Sequence, residues 1–204
     1  MKKVKIPKNR IRKLKTFSLG EKSFELQSLN SQNKNLIDLC SNDYFGLSRD
    51  KDLIKAAYET SLLEGIGSGS SRFITGSRPI HKLLETKLAK WLDQEKVLLF
   101  PSGFQANIAA IQTLANRNSI VIADKLIHNS LLVGVKAAQA KLVRFAHNNL
   151  KDLEDKIIKS NPKKNSILVV VESLYSMEGS IAPLREITEI CKKNNVQLLV
   201  DEAH

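Results

Sequence analysis

The chain has 204 residues, of which 42% are apolar, 26% are charged and 5% are aromatic. These are ordinary values for a globular protein, and they exclude a largely disordered chain, a collagen-like repeat and a coiled coil. The longest aliphatic run, from Ile167 to Val171, is far shorter than the roughly 20 residues that cross a bilayer. We therefore expect no membrane span, and one large domain or two small ones.

The formal net charge of +11 is concentrated at the start of the chain, where no acidic residue precedes Glu21. Such a basic arm can bind nucleic acid or an anionic lipid surface. However, no aromatic residue stands among these charges before Phe17, which argues against single-strand binding. We interpret the arm as a solvated helix or tail, and expect neither nucleic acid nor a membrane as partner. An alternative is that one of its arginines meets the carboxylate or phosphate of a small substrate.

The two cysteines, Cys40 and Cys191, stand far apart and without CxxC spacing. This pattern favours free thiols in a reducing compartment, and argues against a disulfide framework or a zinc site. The basic start is not followed by an apolar core, so no secretory signal is expected. These features together predict a cytoplasmic protein without a metal site.

From residue 51 onward, amphipathic helix-like segments alternate with short aliphatic runs. Such alternation predicts an α/β fold in which a mostly parallel sheet is covered by helices on both faces. The predicted helices cover residues 52–63, 79–92, 103–114, 130–139, 150–159 and 183–194, and the predicted strands cover 97–100, 120–123, 142–145, 167–171 and 196–200.

The last four residues, Asp201 to His204, directly follow a strand of the buried type. A parallel strand with no following helix leaves an open sheet edge with unpaired backbone groups. We therefore expect the chain to be a fragment, incomplete at its carboxyl end.

Residues able to do chemistry follow several of the predicted strands. Ligands of an open parallel sheet bind at the carboxyl ends of its strands. A helix begins after the first strand, where free amides can hold a phosphate, and a histidine, a hydroxyl and an acid follow the later strands. These candidates are Gly103, Phe104, His128, Ser176, Asp201 and His204.

Taken singly, each candidate has an ordinary structural interpretation, such as a capped helix start, a structural histidine or a loop acid. Together, however, a phosphate cradle, an aromatic ring, a hydroxyl and a carboxylate are what a pyridoxal phosphate site requires. Other motifs fit poorly. No GxxxxGK[ST] loop precedes the acidic tetrapeptide, the glycines of Gly65–Gly69 do not follow a strand, and the GxSxG elbow is absent.

Seven stretches, in order from about residue 40 to the end, carry a family resemblance. They are Asn42–Leu47, Gly65–Arg72, Phe100–Asn107, Asp124–Ser130, Arg144–Asn148, Ser176–Gly179 and Val200–His204. In these stretches the chain resembles the α-oxoamine synthases, pyridoxal phosphate enzymes of the aspartate aminotransferase fold (fold type I). The resemblance implies that residues 1–45 are a basic arm and part of the small domain, and that 46–204 are the start of the cofactor-binding large domain.

The resemblance also implies a role for each strand-end candidate. Gly103 and Phe104 would bind the cofactor phosphate through their backbone amides. Ser176 and His204 would contact the phenolic oxygen side of the ring. Asp201 would pair with the pyridinium nitrogen and keep it protonated, so that the ring acts as an electron sink.

For the substrates, the resemblance implies that His128 stacks on the ring near the reacting amino acid. It also implies that Arg12, or its competitor Arg10, binds the substrate. His128, Asp201 and His204 would be the catalytic residues. The implied reaction condenses L-alanine with a pimeloyl thioester of CoA or a carrier protein, with loss of CO2, on the route to biotin. A homodimer is implied as well.

Departures from the family leave alternatives open. Glu178 and Ser180 stand where the family has aspartates, and the family's Schiff-base lysine lies beyond the residue matching His204. We therefore expect this chain to be inactive by itself. The alternatives are another α-oxoamine synthase that uses glycine or serine with an acyl-CoA, and a non-catalytic truncated subunit that binds a complete synthase chain.

Overall fold

The structure is a computed structural model that describes residues 11, 13–22, 24–28 and 35–204. The chain divides into two compact units, Met1–Lys82 and Leu83–His204. The domain boundary implied at residues 45 and 46 stays a prediction. No helix of the described residues is long and apolar enough to span a membrane.

The elements follow one another in a simple order. The strands are β1 (Phe17–Leu19), β2 (Glu25–Ser28), β3 (Asn35–Ile37), β4 (Ser119–Asp124), β5 (Lys141–Phe145), β6 (Ser166–Glu172) and β7 (Gln197–Asp201). The helices are α1 (Lys51–Glu64), α2 (Pro79–Trp91), α3 (Gly103–Leu114), α4 (Asn129–Ala137), α5 (Leu150–Lys159) and α6 (Leu184–Lys193).

In the first unit, β1, β2 and β3 form an antiparallel sheet that the sequence did not predict. The turn between β1 and β2 requires glycine at position 20, since a Cβ there would lie 2.5 Å from the Cβ of Glu25. The Arg49 guanidinium holds the same turn by donating to the carbonyls of Gly20 and Lys22, at 2.9 and 3.1 Å. A long-range contact therefore fixes a sheet whose strands are only three or four residues long.

The first long helix, α1, begins one residue before the predicted start at 52. The Asp50 side chain caps it by accepting from the amides of Asp52 and Leu53, at 3.0 and 2.9 Å. None of its residues is buried. The next helix, α2, starts at Pro79, which suits a first helical position because proline has no N–H to leave unpaired.

The second unit contains a four-stranded parallel sheet in the order β5-β4-β6-β7. The inner strands β4 and β6 are rich in aliphatic residues, as expected for a sheet that is covered on both faces. Val121, Ile122, Val169 and Val170 are fully buried. Helix α3 packs on α4, and α5 packs on α6. The prediction of an α/β fold with a mostly parallel sheet is confirmed.

The predicted strand at residues 97–100 is wrong. In the described part of the chain this segment is irregular and belongs to neither sheet. The amide of Leu99 instead donates to Oε1 of Glu85 at 3.0 Å, and Leu98 is 67% exposed. A strand requires a hydrogen-bonded neighbour, which an apolar run cannot supply by itself.

Candidate functional site

A cavity of about 350 Å³ lies at the carboxyl ends of β6 and β7, beside the starts of α3 and α4. The six strand-end candidates predicted from the sequence all line it. Its complete lining is Gly103, Phe104, Ala106, Asn107, His128, Ser130, Glu172, Ser176, Val200, Asp201, Glu202, Ala203 and His204. Arg12 and Arg10 lie outside the described residues, so the predicted substrate arginine has no position here.

The start of α3 forms one wall of the cavity. Ser102 caps the helix, its Oγ accepting from the amide of Gln105 at 3.2 Å. The N–H groups of the first helical residues, Gly103 and Phe104, have no carbonyl partner within the helix. A Cβ added at Gly103 would meet no atom within 4 Å, so the space beside this amide is open. This geometry suits an anion such as a phosphate.

Two carboxylates end the adjacent strands β6 and β7, where Glu172 and Asp201 are paired in register. Asp201 accepts from Nδ2 of Asn107 at 2.7 Å through Oδ2, and from the amide of Ala203 at 3.0 Å through Oδ1. Glu172 is only 5% exposed and accepts from the backbone amide of His128. Burial raises the pKa of Glu172, and the nearby charge of Asp201 raises it further. Asp201 is therefore a carboxylate held in place by two donors at the cavity.

His128 caps α4 and presents its ring to the cavity. Its Nδ1 accepts from the backbone amide of Ser130 at 3.2 Å and lies 2.7 Å from the Ser130 Oγ. The ring of Phe104 meets the imidazole edge-on, with 6.4 Å between centroids. These contacts fix the orientation of the His128 ring.

A second polar cluster anchors the loop that carries Ser176. The fully buried Asp124 lies 3.0 Å from Nδ1 of His147, and Nε2 of that ring lies 2.7 Å from Oγ of Ser180. The His147 ring also packs edge-on against Tyr175, at 4.5 Å between centroids. Burial, followed by the charge of Asp124, raises the pKa of Tyr175. Because Ser180 and Tyr175 flank it, the position of Ser176 depends on this cluster.

Among the lining residues with no role assigned from the sequence, three make hydrogen bonds that hold the site's side chains in place: Asn107, Ser130 and Glu172. Asn107 contacts Asp201 across 94 positions of the chain, and no local pattern encodes such a contact. One signal was present, because Asn107 follows Gly103 by four positions and so lies on the same face of α3. That spacing places Asn107 in the same cavity wall as Gly103.

Comparison with known proteins decides the family. The sequence pattern of the aminotransferase class I and II family matches residues 34–204. The chain belongs to this family. It is 41% identical over 180 residues to the 8-amino-7-oxononanoate synthase of Photobacterium profundum. The aligned region covers 87% of this chain and 46% of that protein. The corresponding enzyme of Salmonella newport is 42% identical over 168 residues, covering 82% and 43%.

Solved structures give the same result. A serine palmitoyltransferase of Sphingomonas wittichii has a TM-score of 0.84 and 34% identity, covering 89% of this chain and 45% of that one. The 8-amino-7-oxononanoate synthase of Francisella tularensis has a TM-score of 0.69 and 32% identity, covering 83% and 45%. The resemblance to the α-oxoamine synthases and to their fold is confirmed. The chain spans about half the length of the curated relatives it matches.

The family consists of pyridoxal phosphate-dependent enzymes, which confirms the predicted cofactor and enzyme class at the level of the family. A lysine-to-alanine variant of a serine palmitoyltransferase from S. paucimobilis, with a bound PLP–myriocin aldimine, has a TM-score of 0.87 and 34% identity, covering 94% of this chain and 47% of that one. The residues present here fit such a group. The open start of α3 at Gly103 faces the cavity and could hold a phosphate. The fixed carboxylate of Asp201 could pair with a ring nitrogen, and the imidazole of His128 could contact the ring.

Proposed function

We propose that the strand-end cavity holds pyridoxal phosphate, and that the chain is the cofactor-binding part of an α-oxoamine synthase. The observation that carries this proposal is the convergence of six sequence-predicted residues, from four separate segments, on one cavity. Helix starts, strand ends and a loop supply different chemical groups, and together these groups match the different parts of the cofactor.

Each group has a proposed role. The amides of Gly103 and Phe104 bind the phosphate, aided by the positive end of the α3 dipole. The carboxylate of Asp201 accepts a hydrogen bond from the protonated ring nitrogen. His128 covers one face of the ring. When bound, the cofactor supplies an electron sink for negative charge that develops on the amino-acid substrate.

Ser176 and His204, which also line the cavity, would contact the phenolic oxygen of the cofactor. Ser176 sits on the loop that His147 and Ser180 anchor, which limits the entropy lost when the contact forms. His128, Asp201 and His204 are the proposed catalytic residues, and Arg12 is the proposed substrate contact.

For the reaction, we infer a decarboxylative condensation of L-alanine with a pimeloyl thioester that yields 8-amino-7-oxononanoate. A carbon–carbon bond forms at the thioester carbonyl, the thiol carrier leaves, and the alanine carboxylate departs as CO2. Relatives about 40% identical and named for this product support it. The structural likeness to serine palmitoyltransferases makes a serine and acyl-CoA reaction the second candidate. A homodimer is proposed for the complete enzyme.

Binding of pyridoxal phosphate to the purified chain, measured by equilibrium dialysis, tests the cofactor site. Asp201→Asn should weaken binding about tenfold or more, because a hydrogen bond to a charged partner is worth roughly 1.5–3 kcal/mol. An analogue with carbon in place of the ring nitrogen should bind both proteins equally. The exposed Asp155 provides the matched control, Asp155→Asn. If Asp201→Asn weakened binding of both ligands equally, or of neither, the assignment of Asp201 to the ring nitrogen would be contradicted.

The substrate proposal is tested by adding the carboxyl-terminal part of the P. profundum relative, expressed separately, to this chain. Thiol release from pimeloyl-CoA with L-alanine is compared with release from palmitoyl-CoA with L-serine. The control is the same relative divided at the equivalent position, whose two parts must regain activity. We expect the alanine pair to react faster. Faster release with serine and palmitoyl-CoA would replace our first candidate by the second.

A further inference from the structure

One side chain in the cavity wall links two of the proposed functional groups, because it contacts Asp201 directly and reaches His128 through Ser130. Nδ2 of Asn107 lies 2.7 Å from Oδ2 of Asp201 and 2.9 Å from Oγ of Ser130. Ser130 is fully buried, and its Oγ lies 2.7 Å from Nδ1 of His128. A continuous hydrogen-bonded chain therefore joins the acid to the imidazole through one amide and one hydroxyl.

The carboxylate of Asp201, which accepts, and the backbone N–H of Ser130, which donates, set the bond directions at the two ends of this chain. An ionised carboxylate only accepts, so Asn107 presents its NH2 group, and not its oxygen, to Asp201. The same NH2 group has a second hydrogen, which it donates to Ser130 Oγ. The Ser130 hydroxyl proton is then directed at Nδ1 of His128. The backbone N–H of Ser130 donates to Nδ1 as well, at 3.2 Å.

In the neutral imidazole, donors aimed at Nδ1 make that nitrogen the acceptor and place the proton on Nε2. We propose that Asn107 is a positioning residue with two branches. One branch holds the Asp201 carboxylate in its rotamer, and the other, through Ser130, selects the Nε2–H tautomer of His128. The Asp201 branch rests on the proposed function, since it concerns the ring nitrogen of the cofactor; the His128 branch is independent of it.

The His128 branch is tested on the chain alone by long-range ¹H–¹⁵N NMR correlation, which distinguishes the two tautomers. Assignment comes from His128→Asn. We expect the Nε2–H form to dominate, and its ratio to the Nδ1–H form to fall about three- to tenfold in Ser130→Ala and Asn107→Leu, as loss of one neutral hydrogen bond predicts. Ser130→Thr, which keeps the hydroxyl, should restore the ratio. An unchanged ratio in Ser130→Ala, or a Thr variant that behaves like Ala, would overturn this branch.

The Asp201 branch is tested by dialysis with pyridoxal phosphate and with its analogue that lacks the ring nitrogen. Asn107→Leu should weaken pyridoxal phosphate binding about three- to tenfold and spare the analogue, because the carboxylate loses a donor that orients it. Ser130→Ala should leave the preference between these ligands unchanged. Asn129→Leu, which alters a neighbouring exposed asparagine, is the control. If Asn107→Leu shifts the tautomer but not the preference, the two-branch role is wrong.

The two proposals fail in different ways. If Asp201→Asn keeps the wild-type preference for pyridoxal phosphate over the analogue, the cofactor assignment fails. The NMR result still tests the His128 branch in that case. If Asp201→Asn loses the preference and Asn107→Leu retains it, the cofactor site stands and the positioning role of Asn107 is overturned. Far-UV circular dichroism of each variant verifies folding, and Ser130→Ala, a smaller side chain at a buried position, still tests the His128 branch if Asn107→Leu does not fold.

Discussion

The two units of the chain differ in how far their apolar side chains are buried. In Leu83–His204, a contiguous core from Ile111 to Cys191 surrounds the parallel sheet. In the described part of Met1–Lys82, no apolar side chain belongs to a buried core. Leu39, Phe45 and Leu63 of that unit are each at least 86% exposed.

This contrast shows that helical periodicity and burial are separate properties. Along α1, Ile54, Tyr58 and Leu62 are spaced four apart and form one apolar stripe, as an amphipathic helix requires. All three are more than half exposed, at 55%, 64% and 70%. In α5, by comparison, Leu153 and Ile157 have the same spacing and are fully buried. The stripe of α1 is therefore an apolar surface that the described contacts leave exposed.

The largest expected difference between the units is in thiol reactivity. Cys40 is exposed in the first unit, whereas Cys191 is 2% exposed in the second and burial raises its pKa to about 11. At pH 8 we expect iodoacetamide to modify Cys191 at least about 100-fold more slowly than Cys40, because the thiolate is the reactive form. Mass spectrometry of digested protein, over a time course, measures both rates.

The thiol experiment has an internal control. Cys40→Ser should leave no rapidly modified thiol, and urea should make Cys191 reactive in that variant. Rapid modification of Cys191 in the native protein would mean that α6 does not pack on the sheet as described.

A smaller but still large difference is expected when leucine is truncated in each unit. Leu168 is 1% exposed in the central strand β6, and Leu63 is 87% exposed in α1. Leu168→Ala should lower the free energy of unfolding by about 2–5 kcal/mol, through lost burial and the cavity left behind. Leu63→Ala, the matched control, should change it by no more than about 0.5 kcal/mol. Urea unfolding followed by far-UV circular dichroism gives both values.

A comparable cost for both leucines would contradict the contrast between the units. It would mean that another surface covers α1 in solution. Sedimentation analysis over a range of concentrations would then show whether that surface is a second copy of the chain.

The fold of the second unit was largely predictable because its signals are local. Ser102 and Asn149 cap α3 and α5, and each helix begins at the residue that the sequence indicates. The predicted strand at 97–100 was wrong because a strand forms only when it pairs with a neighbouring strand. An aliphatic run does not encode which strand that neighbour would be. The strands β1 to β3 are three or four residues long, too short for a recognisable alternation.

The residues of the candidate site also divide into those that the sequence could place and those that it could not. Residues that directly follow a strand, such as Asp201, could be placed at one sheet edge from topology alone. Asn107 and Ser130 could not, because their importance lies in mutual distances of less than 3 Å between α3, α4 and β7. Sequence therefore predicts the groups that face a ligand better than the groups that hold them.

The smallest expected difference concerns one acid from each unit, whose pKa values move in opposite directions. The hydroxyl of Ser48, 2.6 Å from Oδ2 of Asp43, lowers the pKa of that partly exposed acid. Burial raises the pKa of Glu172, and the charge of Asp201 adds to the rise. Folding therefore favours the ionised form of Asp43 and the protonated form of Glu172.

The two shifts predict opposite dependences of stability on pH. Above the ordinary glutamate pKa of 4.5, the folded chain retains a proton at Glu172 that the unfolded chain releases, so its contribution to stability falls as pH rises. Glu172→Gln keeps an oxygen for the His128 amide and removes this titration. Its stability relative to wild type should therefore increase as pH rises through and above 4.5.

Asp43→Asn provides the contrasting case, because Asp43 contributes stability above its ordinary pKa of 3.8 and loses that contribution as pH falls through the lowered value. The stability of Asp43→Asn relative to wild type should be poorest at neutral pH, and the effect should be small since the side chain is partly exposed to solvent. Urea unfolding at a series of pH values between about 3 and 8 measures both differences. If Glu172→Gln shows the same sign of pH dependence as Asp43→Asn, then Glu172 is not buried at the sheet edge as described, and the two units do not differ in this respect.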